Sequence, residues 1–179
     1  MDSPRVRAQV AQDCPRRLEA YVGGSEQARD LSRFRVVWFS PTLEQADAGA
    51  RWYRCDLVVF GRDDALHTQK ETVPKGVLDR DDGLDRYGLC GTAAPGSEGF
   101  ERVLCSLPHT WRAIATIDLS GGDEYPGADA VRSEGDGDCQ DRVREAENFA
   151  LTFTYGWEWP TRDQWRAGQR FGYCWAVSN

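Results

Sequence analysis

The sequence predicts an α+β fold made of two related small units, each a short antiparallel sheet with one helix and each stapled by a disulfide. Three observations carry the prediction. One ordered pattern of residues occurs twice, six cysteines are distributed through it, and short runs rich in β-branched and aromatic residues are broken by Pro, Gly and Asp.

In the first copy, Asp13-Cys14 is followed by Phe34, Trp38, Pro41-Thr42, Ala48-Gly49, Arg51 and Cys55. In the second, Asp138-Cys139 is followed by Phe153, Trp157, Pro160-Thr161, Ala167-Gly168, Arg170 and Cys174. From Phe34/Phe153 to Cys55/Cys174 the offset is a constant 119, and at Cys14/Cys139 it is 125, so one loop differs by six residues. Duplication of a single unit explains this order. The alignment also proposes the bridges among the 15 connectivities that six cysteines allow. If each unit closes on itself, Cys14 joins Cys55 and Cys139 joins Cys174, which leaves Cys90 with Cys105.

The first unit spans residues 1–61 as helix, strand, strand. Asp13 can cap the helix with Pro15 at its first position, Leu18 and Tyr21 then share a face, and Gly23-Gly24 ends it. Strands follow over Arg35–Phe39 and Arg54–Phe60, with Pro41 terminating the first. Residues 62–85 form a polar, turn-rich connector, expected to be mobile. The second unit, residues 86–179, reads β-β-α-β-β. Its front hairpin runs from Glu101–Ser106 through the turn Leu107-Pro108-His109 to Trp111–Leu119. There Trp111, Ala113, Ala115, Ile117 and Leu119 alternate onto one face. Asp138 is expected to cap the helix, and Gly121-Gly122 and Gly135-Asp136-Gly137 mark loops around it. Strands over Thr152–Trp159 and Arg170–Val177 complete the unit. The first copy lacks the front hairpin, so its sheet is expected to pair with that of the second.

Composition narrows the function. A hydrophobic content of 40% supports a real core, and a formal charge of −7 argues against nucleic acid and against an anionic membrane surface as partners. Six cysteines without a CxxC pair point to disulfides and an oxidising compartment rather than to zinc or thioredoxin-like chemistry. No apolar run approaches the ~20 residues of a membrane span. Only Lys70 and Lys75 among the 22 basic residues are lysines, which with abundant Ala, Gly, Asp and Arg suggests a GC-rich genome. Met1 precedes Asp2-Ser3-Pro4 rather than the apolar stretch of a signal peptide. It reads as a start placed before a segment whose signal or membrane anchor is expected upstream.

The run Cys105-Ser106-Leu107-Pro108-His109, the strand Trp111–Leu119, Tyr125-Pro126-Gly127, Cys139, Pro160-Thr161, Trp165-Arg166-Ala167-Gly168-Gln169-Arg170 and Cys174 together resemble the septum formation domain family. Members are envelope proteins of GC-rich Gram-positive bacteria, often anchored by a lipid or a single membrane helix, and typically carry the pattern twice. The resemblance implies a location and a link to cell division, but no reaction, cofactor or catalytic residue. The first copy departs from the pattern. It lacks the leading cysteine and the Pro-His hairpin, as though its front were trimmed away, and Ala46 stands where Trp165 stands in the second.

Of the two histidines, His109 is the candidate for chemistry, because imidazole titrates near neutral pH. Behind Pro108 in a tight turn, it is expected to hydrogen-bond a backbone carbonyl or to lie exposed. There is no GxSxG elbow, His67 has no ligand at suitable spacing, and the cysteines are assigned to bridges, so no catalytic residue, metal or cofactor is expected. The 29 carboxylates cluster at Asp63-Asp64, Asp79-Arg80-Asp81-Asp82, Asp123-Glu124 and Asp136-Gly137-Asp138, where solvated charge is the expectation. Asp79–Asp85 is only faintly like a calcium loop, with Gly83 one position early and no bidentate Glu following. Among the seven tryptophans, Trp38 and Trp157 occupy matching strand positions and are expected in equivalent cores. Trp111, Trp159 and Trp175 are less constrained, and with His109 they are the binding candidates.

Two functions remain. The chain is expected to be a non-catalytic extracytoplasmic module binding envelope or division proteins, or wall polymer, and tethered to the membrane in the full-length protein. The alternative is an envelope hydrolase acting through His109 or paired loop carboxylates.

Overall fold

The computed structural model describes residues 4–178, apart from the side chains of Pro4 and Asp63. The expectation concerning Met1, Asp2 and Ser3 lies outside these residues. The chain is α+β. Helix α1 (Pro4–Val22) leads to a short α2 (Glu26–Asp30), then strands β1 (Phe34–Phe39) and β2 (Arg54–Val59) with α3 (Leu43–Asp47) between them. After α4 (Gly83–Tyr87) come β3 (Leu89–Gly91), β4 (Arg102–Leu104), β5 (Trp111–Asp118), α5 (Ala128–Ala146), β6 (Tyr155–Glu158), α6 (Arg162–Arg166) and β7 (Phe171–Val177).

The three bridges are Cys14–Cys55, Cys90–Cys105 and Cys139–Cys174, the pairing the internal alignment proposes, and no cysteine is free. The aligned segments also share local geometry. Trp38 lies opposite Cys55, and Trp157 opposite Cys174, in antiparallel pairs of the same register. Thr42 with Gln45 and Thr161 with Gln164 each form a capping box that starts α3 and α6. Gly49 and Gly168 both have φ of 98°, beyond what a side chain readily adopts.

Both long helices begin earlier than their cysteines suggest. Asp13 and Asp138 lie inside α1 and α5 and cap neither, and Pro15 is internal to α1. The driving pattern is a four-residue spacing. Val10, Cys14, Leu18 and Val22 face the core from α1, and Val131, Gly135, Cys139 and Val143 face it from α5. Gly135-Asp136-Gly137 is therefore helical rather than a loop. A Cβ at Gly135 would stand 2.2 Å from Cζ2 of Trp157, so this helix position must be glycine for the indole to pack there.

β1 and β2 form a two-stranded ribbon, and the other strands form a five-stranded sheet in the order β4-β3-β5-β7-β6. The expected pairing between the two sheets is reduced to one antiparallel bridge, Ser32 with Gly88, where Arg33 N–H donates to the Tyr87 carbonyl at 2.8 Å and Leu89 N–H to the Leu31 carbonyl at 2.7 Å. β4 and β5 do not form a hairpin. β3 lies between them, with Cys90 opposite both Val103 and Arg112, and this gives the second unit an additional strand. Three buried residues are too short for strand periodicity to register in the sequence.

Residues 62–85, expected as a polar mobile connector, contribute buried side chains at Val73, Val77 and Leu78. These join Val22, Phe34, Val59, Tyr87 and Leu104 in one apolar cluster. The segment is held to the end of α1 by Gly76 N–H donating to the Tyr21 carbonyl at 2.7 Å, and by Gly24 N–H donating to Asp79 Oδ1 at 2.8 Å.

Candidate functional site

His109 follows the turn after β4, half-buried at the end of β7. Its Nδ1 lies 2.7 Å from the Leu107 carbonyl and its Nε2 lies 3.0 Å from Ser178 Oγ. The carbonyl contact assigns the proton to Nδ1, which leaves Nε2 to accept from the serine hydroxyl. The backbone-carbonyl contact is the one expected from the sequence. The serine contact was not foreseen, because Ser178 is 69 residues away.

The structure does not bring the tryptophan candidates together on a surface. Trp175 is fully buried and Trp111 is 9% exposed, both in a cluster with Leu31, Leu89, Ala113 and Tyr173. The reason is what covers that face of the sheet: Phe100 stacks edge-on against Trp175 with ring centroids 5.4 Å apart, and Leu31 and Leu89 pack into the same cluster. Trp159 is half-buried beneath the Arg132 guanidinium, whose carbon lies 5.4 Å from the ring centroid. Trp38 is 37% exposed and not in a core equivalent to that of Trp157. Aligned on the cysteines, Val10 stands where Gly135 stands, so the position left bare for the Trp157 indole in the second segment carries a buried side chain in the first. The tryptophan surface lies instead at the end of the ribbon, where Trp38, Phe39, Leu43 and Trp52 are all exposed.

A concavity of about 760 Å³ lies between α2, β5 and α5, and His109 is not among its lining residues. Asp138, Asp141 and Glu145 enter it from one face of α5, Glu26 and Asp30 from α2, and Asp118 from β5, with Phe171 as an apolar floor. Burial first, and then the charge of Glu26, hold the Asp30 carboxyl above the usual carboxylate range. Arg142 also lines the cleft, so six carboxylates stand there against one guanidinium and the lining is net acidic. Of the other carboxylate clusters, Asp81, Asp82, Asp123 and Glu124 are exposed as expected, whereas Asp64 pairs with buried Arg33 at 3.0 Å and Asp79 accepts from Gly24; outside them, Asp85 pairs with Arg112 at 2.6 Å. Among the described residues, no three His, Cys, Asp or Glu side chains are placed to hold a metal ion. No helix of the described chain is long and apolar enough to cross a membrane.

Fold and surface thus define a three-disulfide α+β module with an acidic cleft and an aromatic ribbon end. The chain belongs to the septum formation family: the family model of that description matches residues 1–174. No curated protein and no solved structure matches it. Membership links the chain to septum formation, and the three disulfides fit an oxidising location.

Proposed function

We propose that the chain is a non-catalytic, extracytoplasmic binding or scaffolding module that serves septum formation and cell division. In the full-length protein it is tethered at the outer face of the cytoplasmic membrane, where it engages envelope or division proteins, or wall polymer. The observation that carries this reading is the complete oxidation of six cysteines. Both sulfurs of Cys139–Cys174 lie in residues of 0% exposure, so a compartment that kept them reduced would leave two thiols in the centre of the larger core. Binding surfaces of two kinds accompany it, the acidic cleft and the exposed aromatics at the ribbon end. The test is to block thiols in intact cells before lysis and then count blocked cysteines in the isolated protein. None is expected, and six would overturn the extracytoplasmic reading. Capture by isolated walls, with and without membrane proteins, then separates polymer from protein partners.

One contact favours a hydrolase as the second reading: Ser178 Oγ, His109 Nε2 and the Leu107 carbonyl have the order of nucleophile, base and orienting acceptor. Digestion of purified wall polymer distinguishes the two. Under the binding reading neither His109→Ala nor Ser178→Ala changes any measured release. Loss of a wild-type activity in both variants would establish the enzyme.

A further inference from the structure

Phe171 and Tyr173 share one face of β7, and a second concavity, of about 370 Å³, opens beside them between α1, α2 and the start of β1. Glu26, Asp30 and Phe171 line it and also line the 760 Å³ cleft, so the two meet at these residues and form one groove. Tyr173 lines the smaller end although it is 4% exposed. A buried phenol ordinarily finds a hydrogen-bond partner, and the Tyr173 hydroxyl has none among the described residues. Charges of both signs reach it. Arg102 and Glu158 are engaged with each other in an ion pair at 2.6 Å, which leaves Arg35 and Asp30, both in the wall of the groove, to act on a ligand there.

The groove separates its charges along its length. At the Tyr173 end stand Arg29 and Arg35, each with one terminal nitrogen donating to backbone carbonyls, Arg29 to Gly24 at 2.5 Å and Arg35 to Ser32 at 3.1 Å, and with the rest of its guanidinium free. Around Phe171 come Glu26 and Asp30, one turn apart on α2, and Asp118, opposite Phe171 across β5 and β7. Among the described residues none of these three carboxylates has an ion pair or a hydrogen-bond donor. Beyond them α5 presents Asp138 and Glu145, also unpaired, with unpaired Arg142 as the one cation of that wall. A metal ion finds no three ligands here. A polyamine would set an ammonium against Arg29 and Arg35, and a neutral sugar would leave the carboxylates uncompensated. The pattern of charge instead matches a ligand with a carboxylate at one end and ammonium groups behind it.

We propose that this groove binds a free basic α-amino acid of the lysine or ornithine type. The Tyr173 hydroxyl and the Arg35 guanidinium take its α-carboxylate, and Asp30 and Glu26 hold its α-ammonium. Its aliphatic side chain runs over Phe171 into the larger concavity, where the terminal ammonium meets Asp138 and Glu145. The site goes beyond the binding reading above and does not depend on it.

The probe is lysine titrated into the intact protein, followed by calorimetry and by the amide resonances of Asp30, Asp118, Phe171 and Tyr173. Saturable binding at millimolar concentration or below is expected, with those resonances shifted. Three analogues each lack one charge: norleucine the side-chain ammonium, ε-aminocaproate the α-ammonium, and cadaverine the carboxylate. Each is expected to bind roughly tenfold or more weakly than lysine. Tyr173→Phe keeps the ring and removes a hydroxyl that bonds to nothing in the fold, so the melting temperature is expected to hold while lysine binding weakens roughly tenfold. Should that variant not fold, the analogues still decide. The proposal is overturned if millimolar lysine gives no saturable binding, or if folded Tyr173→Phe binds lysine unchanged. It is also overturned if cadaverine binds as tightly as lysine, which would make the groove a general surface for cations. The thiol count that tests the binding reading is independent of all these results, so failure of lysine to bind leaves that reading standing.

Discussion

Where the two aligned segments share their strand register, single side chains still set them apart. Gly135 admits Trp157, whose Nε1–H donates to the Arg132 carbonyl at 3.0 Å, whereas Val10 is buried at the matching place and Trp38 is exposed. Gly135→Ala gains about 1 kcal/mol of helix propensity but places a methyl inside the indole ring. A net loss of about 1–3 kcal/mol is expected from denaturant melts, with altered near-ultraviolet dichroism. Two carboxylates respond to pH in opposite directions. The hydrogen bond from the Tyr53 hydroxyl holds Asp13 below its ordinary range, so its contribution is present above the unfolded value and is lost as pH falls through the folded one. Asp30 is raised, chiefly by burial, so its contribution is fully present in acid and is lost as pH rises through its folded value. Asp13→Asn should therefore flatten part of the acid limb of a plot of melting temperature against pH. Asp30→Asn should raise the melting temperature at neutral pH and have little effect in acid.

At the scale of elements, local signals and long-range partners divide the work. The capping boxes at Thr42 and Thr161 follow a pattern of hydroxyl residue and Gln three positions on, which is visible in the sequence and would have revealed α3 and α6. Thr161→Ala is expected to cost about 1 kcal/mol. The Gly135–Gly137 stretch misleads, because glycine there answers to an indole on β6 and not to a turn. The bridges close loops with separations of 41, 15 and 35 residues. Replacing Cys139 and Cys174 together by Ala should lower stability by about 2–5 kcal/mol in the chain-entropy account, read as a shift of the denaturant midpoint.

Across the whole molecule, one apolar cluster joins α1, the ribbon, the 62–85 segment and Leu104 of β4. Leu104 is 1% exposed, and Leu104→Ala should cost about 2–5 kcal/mol. Because this cluster draws on both aligned copies, unfolding followed at exposed Trp38 and Trp52 should coincide with unfolding followed by far-ultraviolet dichroism. Separate transitions would show that the copies melt independently.

The internal alignment was enough to propose the sulfur connectivity, a helix beside the first cysteine of each segment and the matched strand pairs, while the full length of both helices went unread. The features it proposed follow from periodicity and from residues compared at a constant spacing along the chain. Burial of Trp111 and Trp175, insertion of β3 between β4 and β5, the packed 62–85 segment and the His109–Ser178 contact could not be obtained that way. Each depends on which distant segment arrives beside a residue, and the strand or helix pattern around that residue is the same whether or not a neighbour covers it.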